Sequence, residues 1–223
     1  MKDNKTYKGE ALAALKGKWA PAVLAVILYV VVVMVLIAPY EIKAFQADPA
    51  ALAAAKAMSG LFGVYFFGMF LLAGPLLVGM VNAFKVLLLS GDDRMVSNEL
   101  KIGFGNWWHH VWGFFLKTVF VSLWSLLFLI PGIIKSLSYA MTNYILADYP
   151  GLSANRAIDL SREMMKGHKY DLFYLYLGFA GWFILSLFTL GIGLFWLIPY
   201  AQVAQASFYS DVKAEWEARH SAA

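Results

Sequence analysis

One set of polar side chains recurs at helical spacing inside an apolar part of this chain. Lys135, Ser138 and Thr142 follow one another at intervals of three and four residues, and Asn143 adjoins them. Residues three and four apart share one face of an α-helix. An ammonium among hydroxyl and amide groups can hold a polar or anionic ligand. The chemistry that such a set allows is binding rather than bond-making.

A second polar set occurs near the C-terminus. Gln202 and Gln205 are three residues apart, and Tyr209 follows four residues later. The two sets allow two interpretations. They line a cavity for a polar substrate or lipid headgroup, or they form hydrogen bonds between packed helices, as polar side chains in membrane bundles commonly do.

Two lysines lie inside apolar runs, at Lys117 and Lys135. Ionisable residues at such positions are candidates for function because burying a charge in hydrocarbon is costly. A long side chain near a membrane surface can instead extend its ammonium to the interface. Both interpretations, ligand contact and extension to the interface, remain open from the sequence.

A third set is basic and lies on an amphipathic segment, Ser153–Lys166, which has a serine able to cap its start and Gly167 at its end. Such helices commonly lie in the plane of the headgroups with the basic side toward anionic lipid. The alternative is a short helix packed on the bundle. The candidate interfacial residues of this region are Arg156, Arg162, Lys166, His168 and Lys169.

Catalytic and metal-binding patterns are sparse. The chain contains no cysteine and only four histidines, and it lacks the HExxH, GxSxG, Walker A and GxGxxG motifs. No aspartate or glutamate occurs inside the apolar runs, which argues against a proton relay. We therefore expect no catalytic residue, no metal and no cofactor.

The composition predicts a membrane protein. The chain has 223 residues, of which 61% are hydrophobic and only 14% are charged, whereas ordinary globular domains are about 25% charged. So few charges cannot cover a water-exposed surface. An aromatic content of 17% also fits, because tryptophan and tyrosine favour membrane interfaces.

The apolar runs predict an all-α fold, a polytopic membrane helix bundle forming a single domain over residues 1–223. A helix needs about 20 mainly apolar residues to cross the hydrocarbon. The runs predict six transmembrane helices, at residues 21–40, 60–81, 108–130, 131–147, 171–190 and 194–209. Pro75 predicts a kink in the second span. If the third and fourth spans formed one kinked helix, the count would be five.

The distribution of lysine and arginine predicts the orientation. The N-terminal arm, the segments 82–107 and 148–170, and the C-terminal tail are basic, whereas the loop after the first span contains only Lys43 and Lys56. The positive-inside rule then places both termini on the cytoplasmic side of a bacterial inner membrane. In this scheme the Pro131-Gly132 turn faces outward and Lys135 lies near the outer face.

Two further segments have apolar residues at helical spacing outside the predicted spans. Lys8–Trp19 has Leu12, Leu15 and Trp19 on one side, and Ser97–His110 has a comparable apolar side. We expect both to lie flat at the membrane interface as short amphipathic helices.

Several phrases of the chain resemble a known family when they are taken in order. They are Leu15–Trp19, Ile130–Ser136, Tyr144–Asp148, Ser161–Lys169, Gly181-Trp182, and Thr189–Gly193 followed by Pro199-Tyr200. Together they resemble an uncharacterised bacterial integral-membrane family, domain-of-unknown-function family 975, over nearly the whole chain outside the loop Glu41–Met58. That family is loosely similar to the non-catalytic membrane domains of some glycerophosphodiester phosphodiesterases. The resemblance implies a membrane fold and location, carries no established activity, and hints at lipid- or export-related roles.

These observations predict a non-enzymatic protein with a transport-associated, lipid-binding or partner-binding role. One alternative is an interfacial lipid-modifying enzyme that uses His168, Asp159 and Glu163. Another is a scaffold that holds a cytoplasmic partner on Leu152–Lys169. The expected partners are the bilayer itself and an anionic lipid or a membrane protein. Nucleic acid is not expected, because the basic and aromatic residues do not cluster on one face.

Overall fold

The computed structural model describes residues 1–46, 67–127 and 129–221, and these residues form helices and turns without any strand. The helices are α1 (Asn4–Leu15), α2 (Trp19–Gln46), α3 (Gly74–Ser90), α4 (Met95–Gly105), α5 (Trp107–Leu127), α6 (Leu129–Ser138), α7 (Thr142–Asp148), α8 (Ala154–Met164), α9 (Lys169–Phe188) and α10 (Leu194–Ser221). A π-helical turn, Met69–Ala73, leads directly into α3. The all-α prediction is confirmed.

Three segments of the described chain have the length and apolar composition of membrane spans. They are Trp19–Leu36 in α2, Met69–Ser90 through the π-helical turn and α3, and Lys169–Phe188, which is α9. They correspond to the first, second and fifth predicted spans, although the second is shifted toward the C-terminus. The membrane character of the fold is supported by three span-length helices rather than by the six predicted.

The outer face of α9 is apolar and suits a lipid environment. Large apolar side chains along this helix are exposed, among them Phe173, Leu177, Trp182, Phe183, Ile184, Leu187 and Phe188. A continuous apolar surface of this kind is unusual on a water-soluble monomer. Lipid tails can cover it without an energetic penalty.

Helices α2 and α3 form an antiparallel pair. Near the start of α2, Lys18 Nζ donates a 2.5 Å hydrogen bond to the backbone oxygen of Gly91, just past the end of α3. At the opposite end, a Cβ at Gly68 would lie 3.1 Å from the side chain of Leu36. The first two candidate spans therefore pack side by side along their lengths.

The irregularity predicted at Pro75 lies immediately before that residue. Proline has no backbone N–H and clashes with the preceding turn of a regular helix. The wider π-helical turn Met69–Ala73 accommodates this defect, and Pro75 then occupies the first turn of α3. Single π-turns of this kind are a recognised cause of helix bending.

Helix α4 does not lie flat at the surface, as the sequence predicted for Ser97–His110. It runs antiparallel to α3 in close backbone contact, with Glu99 opposite Gly79 and Gly103 opposite Pro75. A Cβ at Gly103 would lie 2.6 Å from the Pro75 backbone oxygen. The two glycines permit this approach, and α4 therefore packs beside the second candidate span.

Helix α5 consequently begins near the N-terminal end of the α3 span. Trp107 Nε1 donates a 2.6 Å hydrogen bond to the backbone oxygen of Leu71. A Cβ at Gly74 would also meet the Phe114 ring at 2.8 Å. The sequence instead predicted that residues 108–130 begin at the C-terminal end of the second span, so the structure places the start of this segment elsewhere than expected.

The fourth predicted span, residues 131–147, is divided between α6 and α7. These helices contain 10 and 7 residues, which correspond to about 15 and 10 Å at the helical rise. Neither crosses the hydrocarbon, which is about 30 Å thick. Pro131 lies within the first turn of α6 rather than in the connection before it, because proline is tolerated where no intrahelical N–H bond is required.

The N-terminal helix also packs on the bundle. Tyr7, Ala11 and Leu15 are buried on one side of α1. Tyr7 OH donates a 3.0 Å hydrogen bond to Asp211 of α10, and Lys8 Nζ donates one of 2.7 Å to the Gly178 backbone oxygen of α9. The apolar side of α1 is thus covered by protein, and Leu12, expected on that side, is exposed.

Candidate functional site

Helix α8 positions the basic residues that the sequence singled out. Ser153 caps its start by accepting a hydrogen bond from the Arg156 backbone N–H, and Gly167 adopts a positive φ of 96° beyond its end. The predicted apolar side is buried, at Ala154, Ala157, Ile158, Leu160 and Met164. The predicted helix and its cap are confirmed. Its apolar side packs on the bundle, which is the alternative to lying in the headgroup plane.

A hydrogen bond ties α8 to α6. Ser161 Oγ donates to the backbone oxygen of Ser138 at 2.9 Å, and both residues are buried. This contact brings Lys135 beside the basic side of α8. Burial, together with the positive charges of Arg162 and Lys169, lowers the pKa of the Lys135 ammonium.

The position of Lys135 corrects one element of the predicted topology. The sequence placed Lys135 near the outer face and the segment 148–170 on the cytoplasmic side, yet Lys135 and Arg162 line the same cavity. The two placements cannot both hold. The physical reason is that α8 packs against α5 and α7, and Ser161 of α8 bonds to Ser138 at the end of α6. Lys135 and Arg162 therefore lie on the same side of the bundle.

We call the cavity between α6, α8 and the start of α9 the cationic groove. Its volume is about 540 Å³, and it is lined by Lys135, Ser138, Arg156, Asp159, Arg162, Glu163, Lys166 and Lys169. Arg156 pairs with Glu163 at 3.2 Å and Arg162 with Asp159 at 2.8 Å. The three lysines form no ion pair with any described residue. The groove therefore has an excess of positive charge.

An aromatic cavity adjoins the cationic groove. Its volume is about 490 Å³, and it shares Lys135, Asp159 and Arg162 with the groove while adding Phe120, Trp124, Tyr139, Asn155 and Ile158. The Lys135 ammonium lies 4.3 Å from the centroid of the Trp124 ring, within the range of a cation–π contact. A charged compartment thus opens beside an apolar one, with Lys135 at the boundary.

The structure separates the predicted polar cavity into two parts. Lys135 and Ser138 line the cationic groove. Asn143, Gln202 and Gln205 line a different cavity together with Lys117. Thr142 is buried, and its hydroxyl has no hydrogen-bond partner among the described residues. Helix α6 separates the two cavities.

His168 lies apart from the cationic groove. Its Nδ1 is 3.6 Å from Asp171, and its Nε2 is 3.4 Å from Glu215 of α10. Asp159 and Glu163, its partners in the enzyme hypothesis, are paired with arginines instead. No group of three or more His, Asp or Glu side chains in the described chain is arranged to hold a metal ion.

Sequence reasoning missed Glu99. This residue is fully buried, and neither carboxylate oxygen has a hydrogen-bond partner among the described residues. It faces Gly79, near the midpoint of the candidate span Met69–Ser90. The apolar runs gave no signal, because Glu99 lies in the linker between two of them and reaches this depth only when α4 folds back on α3.

Sequence reasoning also missed a network centred on Asp148. This carboxylate accepts hydrogen bonds of 2.8 Å from Tyr209 and from Lys213 of α10, and it pairs with Lys85 of α3. Burial opposes its charge, but the hydrogen bonds from Lys213 and Lys85 outweigh that effect and lower the pKa of Asp148. The network joins three helices, and its residues are far apart in sequence.

Comparison with known families supports the resemblance found in the sequence. Residues 126–215 match the sequence model of a family described as protein of unknown function, DUF975. Through this segment the chain is similar to DUF975. The match covers less than half of the chain, a narrower extent than the phrases suggested. No curated protein and no solved structure matches significantly.

The matched segment of this chain contains every charged residue of the cationic groove and most of the aromatic cavity. Of the residues that line the two cavities, Phe120 and Trp124 alone precede residue 126. The resemblance in Leu15–Trp19 lies outside the matched range. The candidate site therefore lies almost entirely in the part of the chain that matches DUF975.

Proposed function

We propose that this chain is a non-enzymatic integral membrane protein that binds an anionic phospholipid. The phosphate headgroup occupies the cationic groove, near Lys135, Lys166 and Lys169. The acyl chains leave through the aromatic cavity, past Trp124. The ligand class follows from the two adjoining cavities. The excess positive charge of the groove suits an anionic headgroup, and the aromatic cavity beside it suits the apolar part of the same amphiphile.

The shared boundary between the two cavities is the observation that carries this proposal. Lys135 and Arg162 line both cavities. A free inorganic anion would use only the charged compartment, and an uncharged lipid would use only the aromatic one. Lysine and arginine are suited to phosphate, the first as a point charge and the second as a planar donor.

The ion pairs within the groove favour binding over catalysis. Asp159 and Glu163 are held by arginines, and a carboxylate engaged in this way is a poor general base. His168, which could complete an acid–base pair, lies against Asp171 and Glu215. These contacts support a binding role.

The orientation that we propose places both termini, α8 and the cationic groove on the cytoplasmic side of a bacterial inner membrane. The basic N-terminal arm and the basic segment 148–170 support this through the positive-inside rule. The anionic lipids of the cytoplasmic leaflet then face the groove directly.

Lipid retention by charge variants tests the proposal. The triple variant Lys135→Gln, Lys166→Gln, Lys169→Gln should bind phosphatidylglycerol roughly 100-fold more weakly than the unmodified protein, because each lysine near an anionic headgroup contributes about 1 kcal/mol. Native mass spectrometry of protein in mixed micelles with phosphatidylglycerol or phosphatidylcholine measures this. The control Lys5→Gln, Lys16→Gln, Lys101→Gln removes the same charge outside the groove.

The outcomes separate the hypotheses. Unchanged phosphatidylglycerol binding in the groove variant contradicts the proposal. Equal losses in the groove variant and in the control indicate attraction by net charge alone, and also contradict it. Equal binding of both lipids by the unmodified protein would remove the argument for an anionic headgroup.

A further inference from the structure

A second cavity, of about 420 Å³, lies on the other side of α6 from the cationic groove. We call it the Lys117 cavity. Helices α3, α5, α6, α7, α9 and α10 all contribute to it. Its polar residues are Lys117, Thr118, Ser122, Ser136, Asn143, Tyr176, Gln202 and Gln205. Its volume lies within the range of small-molecule sites, about 300–1,000 Å³.

Among the described residues that line this cavity, Lys117 is the only charged one. Its Nζ donates a 3.3 Å hydrogen bond to Asn143 Oδ1, and it forms no ion pair with any described residue. An ammonium group away from bulk water requires a counter-ion or several acceptors. A single amide oxygen at 3.3 Å leaves most of its donor capacity free.

The side-chain amide of Gln202 also lacks part of its hydrogen bonding. Gln202 Oε1 is buried and has no hydrogen-bond partner among the described residues. A buried acceptor left in this state costs about 1–3 kcal/mol. A ligand that supplies an N–H or O–H group would satisfy it. The cavity therefore requires an anionic group at Lys117 and a donor at Gln202.

The position of Asn143 is fixed by contacts outside the cavity. Asn82 of α3 donates a 2.9 Å hydrogen bond from Nδ2 to the Asn143 backbone oxygen. This bond holds α7 against α3 and leaves the Asn143 side-chain oxygen directed at Lys117. The ammonium group is thereby oriented before any ligand enters, which reduces the ordering cost of binding.

We infer that the Lys117 cavity binds a small carboxylate that also carries an N–H or O–H donor, such as a hydroxy acid or an amino acid. The carboxylate pairs with Lys117 Nζ, and the donor group bonds to Gln202 Oε1. Because the wall residues Leu77, Val81, Val121 and Leu137 are apolar, the remainder of the ligand is a short hydrocarbon. This site goes beyond the proposed lipid function and shares no residue with the cationic groove.

Thermal unfolding in detergent with a panel of small ligands tests the inference. L-lactate and L-alanine carry both groups, propionate lacks the donor, lactamide lacks the charge, and sulfate is an unrelated anion. We expect lactate or alanine to raise Tm in a concentration-dependent way, propionate to raise it less, and lactamide and sulfate to leave it unchanged.

Two variants assign the effect to the cavity. Lys117→Met keeps the length of the side chain and removes the charge, and it should abolish the shift for every carboxylate. Gln202→Leu should reduce the lactate or alanine shift to that of propionate. If Lys117→Met does not fold, the Gln202→Leu comparison decides by itself. Lys135→Gln, in the cationic groove, should leave the shifts unchanged.

The inference is overturned if no carboxylate shifts Tm, if sulfate shifts it as much as lactate, or if either cavity variant responds like the unmodified protein. Loss of phosphatidylglycerol binding in the groove variant has no bearing on these outcomes. Failure of the lipid proposal and failure of this inference are therefore distinguishable.

Discussion

Gly103 of α4 lies directly against Pro75 of α3, so that a Cβ at Gly103 would be 2.6 Å from the Pro75 backbone oxygen. Cβ atoms essentially never approach a backbone atom so closely. The crossing of α3 and α4 therefore depends on glycine at this position. It also determines where α5 begins, and through α5 it positions the helices that form both cavities.

Replacement of Gly103 by alanine should force α3 and α4 apart. We expect Gly103→Ala to lower the free energy of unfolding by about 1–3 kcal/mol, the usual cost of overpacking. Thermal unfolding in detergent measures this. Gly181→Ala in α9 is the control, since a Cβ there has no neighbour within 4 Å, and it should be neutral or stabilise by up to about 1 kcal/mol. Equal stability of both variants would show that the crossing is not tight.

Replacement of Glu99 by methionine should stabilise the protein. Glu99 is buried without hydrogen-bond partners among the described residues, so an apolar side chain of similar size removes a desolvation cost, and we expect a gain of about 1 kcal/mol. Glu10→Met is the control, because Glu10 pairs with Lys2 at 2.8 Å and accepts a hydrogen bond from Ser207. That variant should lose stability. A loss in Glu99→Met would reveal a bound cation or another required partner.

Replacement of Asp148 by asparagine should destabilise the bundle by about 3 kcal/mol, because it leaves Lys85 without its carboxylate in a mostly buried site. The surface control Asp159→Asn should cost at most about 1 kcal/mol.

The same carboxylate predicts a pH dependence. Since its folded-state pKa is lowered from 3.8, Asp148 contributes stability above the unfolded-state value, and this contribution is lost as pH falls through the folded-state pKa. Unfolding curves from about pH 7 to about pH 2 should therefore fall less steeply for Asp148→Asn than for the unmodified protein. Parallel curves would contradict this assignment.

The sequence predicts the parts of this fold that depend on local signals. The capped amphipathic helix α8, the apolar runs of α2 and α9, and the irregular helix near Pro75 each follow from spacing, hydropathy or a single residue type. These signals depend on residues within one or two helical turns of one another, so they can be recognised in the sequence alone.

The differences between the sequence predictions and the structure come from contacts between residues that are far apart in sequence. The sequence places Glu99 in a linker, whereas α4 folds back on α3 and buries it. The sequence also predicts that Lys135 lies near the outer face, whereas the bond from Ser161 to Ser138 brings α8 beside it. Hydropathy cannot show which way a short helix turns after a span. The basic residues of the groove are visible in the sequence. The contact between Lys135 and Trp124, however, depends on the packing of α6 against α5.

The corrected topology can be tested with single cysteines, because the chain contains none. Ser136→Cys and Lys166→Cys should both resist a membrane-impermeant maleimide in intact cells and react after permeabilisation. Lys56→Cys, in the loop predicted from the sequence to face outward, should react in intact cells. Reaction of Ser136→Cys but not Lys166→Cys in intact cells would place α6 and α8 on opposite sides and contradict the structure.

The most direct test of the lipid proposal uses the fluorescence of Trp124, whose ring lies beside Lys135 at the boundary of the two cavities. Phosphatidylglycerol with brominated acyl chains should quench the unmodified protein more than Trp124→Phe, and brominated phosphatidylcholine should quench both equally. The difference should disappear in the triple lysine variant of the groove. Equal quenching of the unmodified protein and Trp124→Phe by brominated phosphatidylglycerol would contradict the binding of an anionic phospholipid at this site.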